Sequence, residues 1–172
     1  KKTNLSKFEI GDKLGRDIFA SASQDSVIFF LNDTMTFNSQ YIYYTEKQHF
    51  DKKVVLLGSL KNYYYRKQIM DTYSDLVFND HFRSEKSDIS YSYVSDLVDE
   101  NWGKHDFFAT GELGTEKGEW IPSGLLHKLV KVEDKTIYDP KEIFSNYVFD
   151  KENFGYQHFF SNYIVSLYYD SY

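Results

Sequence analysis

The sequence predicts an α+β fold: a mostly antiparallel β-sheet with a few helices packed on one face, in a single globular domain spanning residues 1–172. Three observations predict it. Tyr (16) and Phe (15) are abundant while Ala occurs only at positions 20, 22 and 109, so β-formers outweigh the strongest helix former. Short apolar runs recur between Asn, Asp and Gly punctuation rather than in long helical periods. At 172 residues, 41% hydrophobic and 27% charged, the chain can bury a sizeable core without staples.

The elements follow in order. Residues 5–15, LSKFEIGDKLG, have apolar positions at Phe8 and Ile10 but too little pattern to assign. SVIFFL (26–31) is a continuous β-rich run, Asn32-Asp33 reads as a turn and Thr34–Phe37 resumes, which predicts a hairpin. QYIYYT (40–45) reads as another strand, and Val54–Leu57 as a third apolar run ending at Gly58. In KNYYYRKQIMDTYSDLVF (61–78) the three tyrosines suit a strand, while Ile69, Met70, Tyr73, Leu76 and Val77 fit a helical stripe. A strand followed by a short helix or second strand is expected there. DISYSYV (88–94) alternates Ser and Tyr with period two, as a strand with one aromatic face does. FFATGEL (107–113) and EWI (119–121) predict a hairpin across a Gly-rich connection, and LLHKLVKV (125–132) with TIY (136–138) a further one. Asp139-Pro140-Lys141-Glu142 combines a cap, a proline at the first helical position and capping-box spacing, so a helix should start there and bury Ile143, Phe144, Tyr147 and Val148. The tail from His158 fits a helix or a strand equally.

Composition sets further bounds. Lys outnumbers Arg 17 to 3, and Lys, Tyr, Phe, Asn and Ile share AT-rich codons, which points to a low-GC bacterium or its phage. Cys is absent, so disulfide scaffolds, thiolate zinc sites and cysteine nucleophiles are excluded. No run of about 18 apolar residues occurs. The sequence begins at Lys1, and an initiator Met before Lys is normally retained. A leader peptide or single membrane anchor is therefore expected upstream, the alternative being a cytoplasmic protein that has lost a tag.

Charge is uneven. The net charge is −6, and residues 95–172 hold seven basic and fourteen acidic side chains. Asp96, Asp99, Glu100, Asp106, Glu112, Glu116 and Glu119 face only Lys104 and Lys117 in that stretch, a negative island that would attract a basic partner and repel phosphate. The alternative is a solvated surface loop. Lys61, Arg66 and Lys67 around Tyr63, Tyr64 and Tyr65 form a local basic, aromatic patch of the kind a single-stranded nucleic acid uses. An acidic chain with three arginines is nevertheless a poor phosphate binder, so nucleic acid is not expected as a partner.

Motifs for chemistry are missing. There is no Walker loop, GxGxxG, HExxH, GxSxG elbow or EF-hand spacing, and the glycines from Gly111 to Gly118 are interrupted by Glu112 and Glu116. His81 beside Asp80 and His105 beside Asp106 would serve as metal ligands only if the fold joined them; exposed loop histidines are the ordinary reading. Any carboxylate pair from Asp96, Asp99, Glu112 or Glu119 fits a glycosidase on paper, because acids are plentiful. The chain is therefore read as a non-enzyme, with no catalytic residue, metal or cofactor assigned.

What remains is binding. The expected surface joins Asp96, Asp99, Glu100, Glu112, Glu116 and Glu119 with Tyr63 and Tyr65, since charge steers association and tyrosines anchor it. The fitting partner is a protein toxin or enzyme with a basic or cation-binding contact surface. In size, composition and missing N-terminus, the whole chain resembles the TipC-type immunity proteins of Gram-positive type VII secretion. No short motif carries the resemblance, so no residue role is transferred. It implies an extracytoplasmic, membrane-anchored domain whose sheet face occludes the active site of an antibacterial toxin that degrades a cell-wall lipid precursor. The alternatives are a carbohydrate or cell-wall binding module, with Trp102 or Trp120 stacking on sugars, an enzyme with an unrecognised site, and a cytoplasmic inhibitor.

Overall fold

A computed structural model of the chain describes residues 9–86, 90–134, 145–147 and 166–168. Its centre is one five-stranded sheet in the order β2-β1-β3-β5-β4, with β1 at Val27–Phe30, β2 at Lys53–Leu56, β3 at Phe107–Ala109, β4 at Glu119–Ser123 and β5 at Leu126–Val130. β1 pairs in parallel with both β2 and β3. β3–β5 and β5–β4 are antiparallel, so the sheet is mixed rather than mostly antiparallel. The α+β class holds. All four residues of β1 are buried, as a central strand covered on both faces requires.

Helices cover both faces, not one. On the first lie α1 (Ile10–Ala20) and α2 (Asp33–Gln40), whose Leu14, Ile18, Phe19 and Met35 pack with Ile28, Phe30, Val54 and Phe108 of the sheet. On the second lie α3 (Tyr63–Thr72), α4 (Asp80–Arg83) and α5 (Ser90–Asn101), whose Ile69, Phe82, Val94, Leu97 and Val98 meet Val27, Phe29, Val55 and Phe107. Alternate residues of each strand serve opposite cores, which is why the apolar runs looked continuous.

Four segments expected as strands are helical where they are described. Asn32-Asp33 is not a hairpin turn: the Asn32 side chain accepts from the Met35 amide at 2.9 Å and caps α2. α2 runs directly into a π-helical segment, Tyr41–Thr45. Met35, Ser39 and Ile42 then fall on one buried face at helical spacing. Asn62 caps α3 in the same way through the Tyr64 amide, which turns the three tyrosines into the first turn of a helix. In α5, Tyr93, Val94, Leu97, Val98 and Asn101 are buried, a stripe at i, i+1, i+4, i+5 and i+8. The Ser/Tyr alternation that suggested a strand lies in the first turn of α5 and meets that stripe only at Tyr93.

α1 and α2 approach closely because Gly11 and Gly15 lie between them. A Cβ on Gly15 would meet the Asn38 carbonyl oxygen at 2.6 Å and Ile42 Cγ1 at 2.9 Å. The expected hairpin between FFATGEL and EWI is also replaced. β3 joins β1 and β5, while β4 forms its hairpin with β5 across Gly124-Leu125, with Ser123 opposite Leu126 and Gly124 at φ +62. On the α1 face, Tyr168 donates to the fully buried Asp17 at 2.7 Å, and the Leu125 amide donates to the Tyr147 hydroxyl at 2.8 Å. Of the helix expected from Asp139 only residues 145–147 are described, as a turn; the TIY strand and the tail, apart from a helical turn at 166–168, lie outside the described residues.

Candidate functional site

The triple tyrosine divides into three roles. Tyr64 points to solvent and is 79% exposed. Tyr63 is half-buried beside Tyr64 and near the Arg66 guanidinium, at 5.9 Å. Tyr65 turns inward, and its hydroxyl accepts from the Leu56 amide of edge strand β2 at 2.7 Å. Tyr73 completes the same device: its hydroxyl accepts from the Val54 amide at 2.9 Å and donates to the Val54 carbonyl at 3.3 Å. Tyr43 donates to the Lys52 carbonyl at 3.1 Å. Burial pushes the Tyr65 and Tyr73 hydroxyls up, out of the range of ordinary titration. Three phenols thus occupy outward backbone groups along an edge that would otherwise invite a neighbouring strand.

Arg66 is not part of a surface patch. It is fully buried, donating from Nε to the Phe82 carbonyl at 2.8 Å, from Nη1 to the Leu60 carbonyl at 2.6 Å and from Nη2 to the Ser84 carbonyl. Its guanidinium lies 4.1 Å from the Tyr93 ring centroid. Carbonyl dipoles and a ring face spread its charge, and the group ties α3, α4 and α5 together.

The acidic residues are carried by α5, the segments before β4 and β4 itself. Asp96 of α5 is committed to the His81 ring and to the Asn79 amide group at 2.9 Å. Asp99 faces Lys117 at 3.8 Å, and Glu100 is exposed beside it in α5. Glu112 is exposed near His127, which lies opposite Pro122 in the hairpin. Glu119 begins β4 opposite Val130, so Glu112 and Glu119 belong to opposite ends of the β4–β5 pair. Glu116 is exposed in the loop before β4. Asp106 accepts from Ser23 at 2.7 Å and from Lys128 at 2.9 Å.

A different surface does gather large side chains. Phe37, Tyr41 and Tyr44 recur at i, i+4 and i+7 along α2 and its π-helical continuation, on the face opposite Met35, Ser39 and Ile42. They are 64%, 52% and 55% exposed. Phe50, 57% exposed, joins Tyr44 around Tyr43, each ring edge-on to it at 5.0 Å. Sequence reasoning missed this face because it assigned 34–37 and 40–45 to strands, which scatters the same residues. The i, i+4, i+7 spacing was the available signal.

At the amino ends of β1, β2 and β3 lies a polar cluster. The Lys53 ammonium bridges Asp25 and Asp75, the latter at 2.8 Å, and His105 sits between both carboxylates, 3.3 Å from Asp25 and 3.7 Å from Asp75. Burial alone would raise the Asp75 carboxyl, but the bond and charge of Lys53 outweigh it and hold it below its usual range. Asp25, Asp75 and His105 have ligand atoms within 4.8 Å of one another and are the one such group among the described residues. The Lys53 ammonium already stands between the carboxylates where a cation would sit. With its side chain only 6% exposed, His105 offers a substrate little access. The cluster reads as a latch that ties three strand ends together.

Beside the latch opens a cleft of about 590 Å³, reached by Trp102, Lys128 and Lys131. Among the described residues no helix is long and apolar enough to cross a membrane. No protein-family model, curated protein or solved structure matches the chain.

Proposed function

We propose that this domain is a protein-binding inhibitor of the immunity type, which acts by covering a partner protein rather than by chemistry of its own. The observation that carries the reading is the solvent-facing row of Phe37, Tyr41 and Tyr44 with Phe50 beside it. Contiguous exposed rings are costly to leave in water and are the residue types that anchor interfaces. A ring of this size buries about 150–250 Å² in all, so four half-exposed rings offer roughly 400 Å² of apolar area. At about 25 cal/mol/Å² that is on the order of 10 kcal/mol before the costs of association, sufficient to anchor a specific complex.

The scattered acids take a secondary part, steering a basic partner toward the domain rather than plugging its site. An address outside the cytoplasm belongs to the same proposal. It rests on the Cys-free composition and on the resemblance to the TipC-type proteins, in which a tethered domain meets a secreted toxin.

The test is a pull-down from lysate and culture fluid of the producing organism with the wild-type domain and with a Phe37→Ala, Tyr41→Ala, Tyr44→Ala variant as baits. A dominant protein retained by the first and lost from the second, with both baits equally folded by circular dichroism, is the expected result. Equal retention by both baits would falsify the aromatic face as the docking surface. Retention of glycan in place of protein would move the domain to the wall-binding class.

A further inference from the structure

We infer that the cleft at the amino ends of β1 and β3 binds a small anion, a carboxylate or phosphate carried on a flat apolar group. The proposal is independent of the protein-docking face, which lies on α2. The cleft is open, has a volume of about 590 Å³ and is lined by Asp25, Trp102, Lys104, His105, Lys128 and Lys131 among others, a size suited to a small molecule.

Charge accounting selects the ligand. The cleft's two carboxylates are already engaged: Asp25 shares the Lys53 ammonium with Asp75, and Asp106 pairs with Lys128 at 2.9 Å and Ser23 at 2.7 Å, so these groups together leave a single negative charge. Lys104 and Lys131 are exposed, and neither is ion-paired among the described residues. The ammonium of Lys104 reaches only the Glu100 carbonyl, at 3.5 Å. Lys104 and Lys131 outweigh that single negative charge, so among the described residues the concave surface is net positive on a chain whose net charge is −6.

The apolar requirement comes from Trp102, a partly buried indole that packs against the core and lines the same cleft. Asp25 at φ +57 and Gly103 at φ +78 both hold left-handed backbone at this rim, so its shape is set by local geometry as well as by side chains. The carboxylate and phosphate sources share this chemistry, and titration separates them.

The experiment is an amide-resolved NMR titration of the whole domain with phenyl phosphate, benzoate, inorganic phosphate and uncharged benzyl alcohol, with tryptophan fluorescence read in parallel. Shifts at residues 102–106 and 128–131 with either anion, and none with benzyl alcohol, are expected; which anion binds tighter names the source. A Lys104→Gln, Lys131→Gln variant should weaken binding about tenfold or more, and Trp102→Phe should remove the fluorescence response. The inference is overturned if benzyl alcohol shifts the same amides equally, if inorganic phosphate binds as well as phenyl phosphate, if the double variant binds unchanged, or if no ligand shifts the cleft.

Discussion

Gly15 shows how a single hydrogen in place of a methyl group decides where a helix can lie. Ala is the better helix former by about 1 kcal/mol, so on propensity alone Gly15→Ala should stabilise α1. Its Cβ, however, would fall 2.6 Å from the Asn38 carbonyl oxygen, a backbone atom of α2 that cannot rotate away. Forced overpacking of this kind costs about 1–3 kcal/mol, which outweighs the gain. Chemical denaturation should therefore show Gly15→Ala less stable than wild type, and an unchanged or higher midpoint would mean the two helices slide apart without penalty. Tyr73 makes the complementary case for a hydroxyl. Tyr73→Phe keeps the ring but leaves the Val54 amide and carbonyl without their partner. A loss of about 1–2 kcal/mol is expected in urea titration, with Tyr65→Phe somewhat smaller because it frees the Leu56 amide alone.

At the scale of elements, the sheet strands were legible and most helices were not. Val27–Phe30 and Leu126–Val130 stand within the apolar runs that announced them, and Lys53–Leu56 overlaps the run read at Val54–Leu57. α2 and the first turn of α3 were hidden by the chemistry of their starts. Asn before a polar residue signals a turn and a helix cap alike, because one short side chain satisfies the next free amides in both. Asn32, Asn62 and Asn79 all act as caps here, at α2, α3 and α4. Aromatic and β-branched residues then lower the apparent helix propensity, which tertiary burial overrides. Asn32→Ala should cost about 1 kcal/mol in thermal unfolding, and a neutral result would show that packing of Met35 alone holds the start of α2. The candidate site suffered most from this. The acids were visible as a count, but their dispersal over α5, a loop and β4 depends on pairings that no local pattern encodes.

Across the whole molecule, stability should fall on acidification in two stages. Burial lowers the pKa of His49 and His127 below the ordinary 6.5, so both are held neutral in the fold while the unfolded chain takes up protons there. Their contribution is complete above about 6.5 and is lost as pH falls toward their folded values. Asp51, Asp75 and Asp106 have pKa values below the ordinary 3.8; for each, burial pushes upward and is outweighed, by Lys52, by Lys53, and by Ser23 with Lys128 respectively. Their contribution is present above that value and disappears as pH drops through the folded ones. Melting temperature followed from pH 8 to 3 should decline first below about 6.5 and again below about 4, with His49→Gln and His127→Gln variants flattening the first step. A flat profile between pH 7 and 5 would remove the histidine part of this account.

The phenol seal on β2 also separates this chain from proteins that guard a sheet margin with lysines. Repulsion between ammonium groups fades in brine and depends on protonation. A hydroxyl seated on a backbone amide answers to neither. Crowding, high ionic strength or a shift in acidity should leave that margin as closed as it is in dilute buffer, and loosening of α3 or of the π-helical segment that carries Tyr43 is what would open it to a neighbouring chain.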